Sequence, residues 1–240
     1  MLNSFFSNPT ILNVDSSLNV KVVIPWRESN SRKRIFDFLI SWYKKEFPKW
    51  EIILSDSNSA VFNLSSSRNL GIQKAINLGA DVVIVSDADF FTSKDTLIKA
   101  VSNALQTNNI TVPYTQYAEL TYEGTEKFLN YEEESLDMFK NKNSNPVLIN
   151  GKTDRFWVCS GCNIITKQVF LDFGGFDENY EGWGQEDIDY HKRYLDKYGQ
   201  LFDYVEGLAC SLEHSRDEWK SDLLSLKNYN YFINKHGKID

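Results

Sequence analysis

The chain has 240 residues, 42% hydrophobic and 25% charged, enough for one α/β domain, or a domain plus a small lobe, around a large core. With 26 basic and 33 acidic side chains the formal charge is −7, which argues against a nonspecific grip on nucleic-acid backbones. A local basic pocket stays possible: Arg27, Arg32, Lys33 and Arg34 lie close together, although Lys33 and Arg34 also suit a solvated helix start.

Residues 1–18 mix Ser, Asn and apolar residues and read as an arm. They lack the basic start and long apolar run of a signal peptide, and no stretch reaches the length of a membrane span. The odd count of cysteines, Cys159, Cys162 and Cys210, suits a reducing compartment. Cys159 and Cys162 form a C-x-x-C with no second pair to complete a zinc site, so both are expected to be small core residues. A soluble, cytoplasmic chain is the expectation.

The first strand is expected over Asn19–Ile24, stopped by Pro25. In Arg32–Tyr43 the apolar residues Ile35, Phe36, Leu39, Ile40 and Tyr43 fall at helical spacing, and Pro48 ends the segment. Trp50–Leu54 reads as a strand and Ser66–Leu78 as a helix stopped by Gly79. Asp81–Val85 is a continuous apolar run, the pattern of a strand covered on both faces. This alternation predicts a mostly parallel sheet, with ligands beyond the carboxyl ends of its strands, where Pro25, Asp56 and Asp87 fall.

Residues 115–150 hold an acidic, Tyr-rich stretch at Glu119–Glu134 and a turn-like Asn141–Asn145. An excursion covering an acceptor site and a plain surface insertion both fit. Arg155–Ile165 reads as a strand, Lys167–Phe173 as a short helix closed by Gly174 and Gly175. A helix is expected from near Gln185 to Tyr198, ended by Gly199, and another over Asp217–Lys235. One domain is expected over 1–240, with a nucleotide-binding half (1–114) and an acceptor and catalytic half (115–240).

Two acidic clusters carry the chemistry. Asp87-Ala-Asp89 is a D-x-D directly after the buried strand. Hard oxygen ligands suit Mg2+ or Mn2+, ions that bridge phosphate oxygens and neutralise a departing nucleotide; a solvated turn also fits the pair. The second cluster is Glu181-Gly-Trp-Gly-Gln-Glu-Asp-Ile-Asp189. At a helix start its carboxylates suit capping, and they also suit handling of an acceptor hydroxyl.

Five segments resemble those of the beta-1,4-galactosyltransferase family. They are Ile24-Pro-Trp-Arg27, Phe62-Asn63 with Arg68-Asn-Leu-Gly71, Asp87-Ala-Asp89, Glu181-Gly-Trp-Gly-Gln-Glu-Asp187 and His214-Ser-Arg-Asp217. Order and approximate spacing agree from about Val22 to Asp217. The resemblance implies the glycosyltransferase A fold, a Rossmann-like, mostly parallel α/β sheet flanked by helices. It implies metal-dependent, inverting transfer of a hexose or N-acetylhexosamine from a UDP-sugar to a glycan hydroxyl. By the same resemblance Asp89 and His214 hold Mn2+ (or Mg2+), and Asp87 supports the metal or contacts the ribose. Pro25, Trp26 and Arg27 line the uridine pocket, and Arg68 belongs to the nucleotide-contact segment. Asp56 accepts the uracil N–H, although an ordinary turn Asp fits it equally. Asp187 is the base, Glu186 bonds sugar hydroxyls, and Trp183 packs on a sugar face. His191 and His236 have no such support and are expected at the surface.

The chain departs from the family pattern at four places. Ile188 stands where the family has an acid, and Asp189 points elsewhere on the helix. Ser211 replaces a sulfur ligand, which weakens a preference for Mn2+ over Mg2+. Leu64 replaces an arginine. Val158 aligns with a donor-selecting aromatic and leaves room for an N-acetyl group. Two other readings are a retaining enzyme related to polypeptide N-acetylgalactosaminyltransferases and a non-catalytic nucleotide- or glycan-binding module; the adjacent acids Glu186 and Asp187 favour the inverting branch.

Overall fold

A computed structural model describes residues 18–130, 144–145, 161–215 and 222–238. The first half runs β1 (Val20–Pro25), α1 (Lys33–Glu46), β2 (Glu51–Ser55), α2 (Leu64–Asn77), β3 (Val82–Ser86), β4 (Phe90–Thr92), α3 (Lys94–Thr107) and β5 (Thr111–Val112). Then come β6 (Gln116–Leu120), α4 (Tyr122–Asn130), β7 (Ser144–Asn145), β8 (Cys162–Thr166) and α5 (Lys167–Phe173). The chain continues through α6 (Glu186–Tyr198), β9 (Asp203–Tyr204), β10 (Leu208–Ser211) and α7 (Asp222–His236). The expectations for the N-terminal arm, Cys159, Val158, the start of the 155–165 strand and Asp217 lie outside the described residues.

The apolar runs become the centre of a six-stranded sheet of order β2-β1-β3-β8-β5-β9. Both β1 and β3 are buried along their whole length. β1 pairs in parallel with β2 and β3, and β9 in parallel with β5, while β8 alone runs against its neighbours. The sheet is therefore mostly parallel, as the alternating pattern predicts. Strands β8 and β9 complete a sheet begun by the first half, so the two halves share one core. Cys162 and Cys210 are buried in it. Among the described residues no helix is long and apolar enough to cross a membrane.

A second sheet, β4-β10-β6-β7, begins where the first stops. Residues 87–89 are the whole connection between β3 and β4, so the D-x-D occupies the junction of the two sheets. β10 pairs antiparallel to β4, with Ser211 opposite Phe90. The Leu212 N–H, donating to the Asp89 carbonyl at 2.9 Å, carries that ladder one step further. This register delivers His214 to Asp89.

Helix α2 begins two residues earlier than its apolar pattern suggests, because Asn63 is its N-cap and accepts from the Ser66 N–H at 2.8 Å. Gly71 lets α2 press on the sheet: a Cβ there would lie 2.3 Å from Val23 Cγ1. Helix α6 closes on Gly199 in the left-handed region, as expected.

Of the two histidines expected at the surface, His191 is buried and His236 is half-buried. His191 is 1% exposed, stacks on Phe202 at 4.3 Å and lies on the inward face of α6 beside Tyr190 and Tyr194. His236 lies against Asp189, its Nε2 2.8 Å from Oδ1. His191 faces inward because Phe202 covers α6 there, and His236 because α7 docks on Asp189.

Asp189 is fully buried and anchors α7. It accepts from Lys235 Nζ at 2.7 Å, Arg193 Nε at 2.6 Å and the Tyr180 hydroxyl at 3.2 Å. Lys235 also reaches Asp177 at 2.6 Å. Burial pushes the Asp177 carboxyl up, but Lys235 and Asn179 pull it down further, to about 2. Burial likewise opposes, and His236, Lys235 and Arg193 outweigh it, leaving Asp189 lowered. A carboxylate with a depressed folded value contributes stability that is full above the unfolded value, near 4, and is lost as pH falls through the folded one. The melting temperature is therefore expected to drop between about pH 4 and pH 2, and less steeply in Lys235→Met. Thermal melts across that range check this; an identical acid fall in the variant contradicts it.

Candidate active site

The carboxyl ends of β1 and β3, the segment after β10 and the approach to α6 enclose a cavity of about 470 Å³. Of the residues singled out in the sequence, Pro25, Asp87, Asp89, Trp183, Glu186, Asp187 and His214 line it. Trp26, Arg27, Asp56 and Arg68 do not. Arg32, which sequence reasoning left undivided between pocket and helix start, does.

One corner of the cavity suits a cation. His214 Nε2 lies 3.0 Å from Asp89 Oδ2, and its Nδ1 donates to the Ser215 carbonyl at 2.9 Å. Nε2 faces an acceptor oxygen, so a proton or a cation must lie between them. Two donors bound side by side on an octahedral ion, with bonds of about 2.1 Å, stand about 3 Å apart. The carboxylate suits Mn2+ or Mg2+, and the imidazole, a ligand for transition-metal ions, fits Mn2+ better than Mg2+. Among the described residues no third His, Cys, Asp or Glu joins the pair. Ser211, where a sulfur ligand was expected by resemblance, also lines the cavity.

The opposite wall is organised by Arg68, which lies beneath the cavity with its side chain 3% exposed. Nη2 donates to Asp87 Oδ1 at 2.8 Å, and Nη1 to Asp187 Oδ1 at 2.7 Å and Glu186 Oε1 at 3.4 Å. One buried guanidinium thus serves three carboxylates. Its expected place in a nucleotide contact gives way to this: the fork spans both acidic clusters from below, with the ring of Phe176 4.8 Å away. Burial pushes the Asp187 carboxyl well above the ordinary range; Arg68 pulls it back, while Glu186 and Asp87 push it up again. Glu186 is raised as well, first by burial.

Two of the expected uridine residues, Arg27 and Asp56, pair with each other beyond Pro25, at the ends of β1 and β2. Arg27 grips Asp56 with two hydrogen bonds, Nε to Oδ2 at 2.8 Å and Nη2 to Oδ1 at 2.7 Å. That pairing, against a smaller burial cost, holds the Asp56 carboxyl low. The Arg27 guanidinium lies 5.3 Å from the ring centre of Phe62, a cavity residue. Trp26 stacks flat on Phe36 at 3.9 Å, with the Arg32 guanidinium 5.1 Å from its ring centre.

The tryptophan-containing loop is shaped by backbone that favours glycine. Gly182 and Gly184 have φ of 71° and 106°, and Gln185 follows at 72°. This turn lets the Gly184 N–H donate to Glu186 Oε2 at 2.9 Å. The helix dipole at the start of α6 adds to that hold on the carboxylate. Ile188 faces the cavity, whereas Asp189 points away into the α7 cluster, which agrees with the helical phase expected for it.

Sequence reasoning missed the asparagines that tie this loop to α2. Asn63 donates to the Glu178 carbonyl at 2.8 Å and forms a bridge with Gly182. Asn69 donates to the Phe176 carbonyl and accepts from the Phe176 N–H, both at 2.8 Å. The motif Phe62-Asn63 with Arg68-Asn-Leu-Gly71 is therefore the frame on which the second acidic cluster is mounted. The one local signal was Asn63 just ahead of an apolar helical run.

Similarity to known proteins agrees with this geometry. A sequence profile described as glycosyltransferase like family 2 matches residues 47–233. Chondroitin sulfate synthase 3 of Homo sapiens is 27% identical over 185 residues, 74% of this chain and 19% of that protein. Beta-1,4-galactosyltransferase 1 of Mus musculus is 20% identical over 211 residues, 83% of this chain and 43% of that protein. The chain thus spans less than half the length of either relative. Among solved structures, the catalytic domain of Drosophila beta-1,4-galactosyltransferase 7 with xylobiose has a TM-score of 0.51 at 16% identity, covering 79% of this chain and 64% of that one. A mutant of that enzyme holds manganese, UDP-Gal and xylobiose (TM-score 0.50, 16% identity, the same 79% and 64%). GalNAc-T7 with UDP, GalNAc and Mn2+ has a TM-score of 0.50 at 15% identity, covering 92% of this chain and 48% of that one. The fold is the glycosyltransferase A fold, and, with a profile matching most of its length, the chain belongs to the glycosyltransferase-like family 2.

Proposed function

We propose that this cavity transfers a sugar, a hexose or N-acetylhexosamine, from a UDP-sugar to a glycan hydroxyl, with inversion and with help from Mn2+ or Mg2+. The observation that carries the reading is the facing of two groups across one cavity. Asp89 and His214 stand as a cation would require, and Glu186 and Asp187 face them on a buried arginine. Similar structures that hold UDP and manganese support the donor and the metal.

The residues divide the work. Asp89 and His214 would hold the cation, which when bound would neutralise charge on the diphosphate of the donor. Asp187 takes the proton from the acceptor hydroxyl, and its burial makes it a stronger base than an exposed aspartate. Glu186, fixed through Gly184, keeps lone pairs for sugar hydroxyls. Trp183, 39% exposed on the cavity wall, offers a flat apolar face to a sugar ring. Arg27 and Asp56 edge the side beyond Pro25 and Phe62 where the uridine is placed in this reading. The acidic charge disfavours a nucleic-acid acceptor, and a cytoplasmic location belongs to the same proposal.

A UDP-release assay tests the proposal by crossing UDP-galactose, UDP-glucose and their N-acetyl forms with Mn2+, Mg2+ or chelator. Release is expected with either ion, none with chelator, and severe loss in Asp89→Asn. Release that ignores chelator overturns the metal assignment. UDP binding without release across a broad acceptor panel overturns catalysis. The likeness to GalNAc-T7 favours a second, retaining reading, which NMR of the product anomer separates from inversion.

A further inference from the structure

The reaction proposed above assigns no task to the C-terminal helix, yet α7 carries the buried contacts that shape the loop before α6. Asn228 is 1% exposed. Its amide donates to the Glu181 carbonyl at 2.8 Å and to the Trp183 carbonyl at 3.1 Å. We infer that Asn228 is a positioning residue that sets where Trp183 is presented to the sugar.

The physical case rests on the loop's own backbone. Gly182 and Gly184 lack a Cβ and give the segment many accessible conformations, while Gln185 sits at a positive φ that a side chain disfavours, so the observed shape needs outside contacts to hold it. Two carbonyls, on residues 181 and 183, point to one side. An asparagine amide carries two N–H donors on a single nitrogen, which suits two converging acceptors. The pair of bonds selects one loop shape. Helix α7 is itself locked at its far end, where Lys235 and His236 grip the buried Asp189 in the first turn of α6. The loop is therefore held from both sides, by Asn63 on α2 and by Asn228 on α7. Ser225, one turn earlier on α7, lines the cavity beside Gly184. The exposed pair of Lys227 with Glu181 also joins helix to loop, but a solvated ion pair holds little.

The inference rests on the proposed reaction only for its kinetic consequence, so its test has two arms. In the first, the chain is labelled with 5-fluorotryptophan and the line of Trp183, among six tryptophans, is assigned by its loss in Trp183→Phe. In Asn228→Ala that line is expected to shift and broaden; in Lys227→Ala it is expected to stay. In the second arm, acceptor KM is expected to rise about tenfold in Asn228→Ala, with donor KM and UDP-sugar hydrolysis without acceptor little changed. Asn228→Ser keeps one donor and gives the same reading if the alanine variant does not fold. A lowered melting temperature with the Trp183 line and acceptor KM unmoved overturns the inference. A moved Trp183 line in a chain with no transferase activity leaves the positioning role standing and rejects the reaction.

Discussion

Arg68→Leu is expected to lose about 3–5 kcal/mol of folding stability and all measurable UDP release. The stability loss follows from burial: the leucine leaves Asp87, Asp187 and Glu186 facing one another without a counter-charge. The activity loss follows from geometry, because the fork sets the spacing between the two acidic clusters. Arg68→Lys separates these effects. An ammonium restores charge, and with it part of the stability, but a point charge cannot hold Asp87 and Asp187 on separate nitrogens. Lysine is therefore expected to fold better than leucine and to remain nearly as inactive.

The deficit should also depend on pH in a definite direction. Glu186 and Asp187 are raised, so the folded state binds protons more tightly than the unfolded state. Such groups favour folding as pH falls and disfavour it as pH rises through their folded values. Removing Arg68 raises them further, so the deficit is largest at neutral pH and shrinks toward mildly acidic pH. Urea unfolding of the three proteins at two pH values reads this. A leucine variant as stable as the parent, with normal turnover, removes Arg68 from the centre of the site.

What the sequence made legible was whatever is written locally. The buried run 81–85 announces its strand, and the D-x-D its place at the strand's carboxyl end, because both are contiguous. The Gly-Trp-Gly turn before Glu186 reads as a helix start for the same reason. What was not legible depends on partners far away in the chain. Arg68 lies 118 and 119 residues from Glu186 and Asp187, and nothing near it tells a nucleotide contact from a buried brace. His191 reads as a surface histidine until Phe202 folds back on α6, and His236 until α7 docks on Asp189. His214 meets Asp89 through the register of β10 on β4, which resemblance could anticipate but spacing could not. Asn63, Asn69 and Asn228 are polar residues in helical or cap positions, and their meaning is a set of carbonyls supplied by a distant loop.

Asp187→Asn is expected to lower kcat by about 10²–10⁴ while leaving the melting temperature equal to the parent's or higher. The two halves of that expectation have one cause. Asp187 is costly to ionise where it stands, since burial, Glu186 and Asp87 all oppose its charge and Arg68 only partly offsets them. In the proposed reaction that cost is what would let it take a hydroxyl proton, and it is a cost to folding at neutral pH. An amide of the same shape keeps an oxygen for Arg68 and removes the strain together with the basicity. The pH profile follows in sign: turnover of the parent climbs as pH rises through the raised carboxyl value, above the ordinary range near 4, and the residual turnover of the variant lacks that limb. Stability and rate measured on the same samples decide the assignment. Retained turnover rejects Asp187 as the base. Loss of turnover with loss of folding makes it a structural partner of Arg68, and only loss of turnover in a fold at least as stable identifies a group whose strain is kept for the proton it removes.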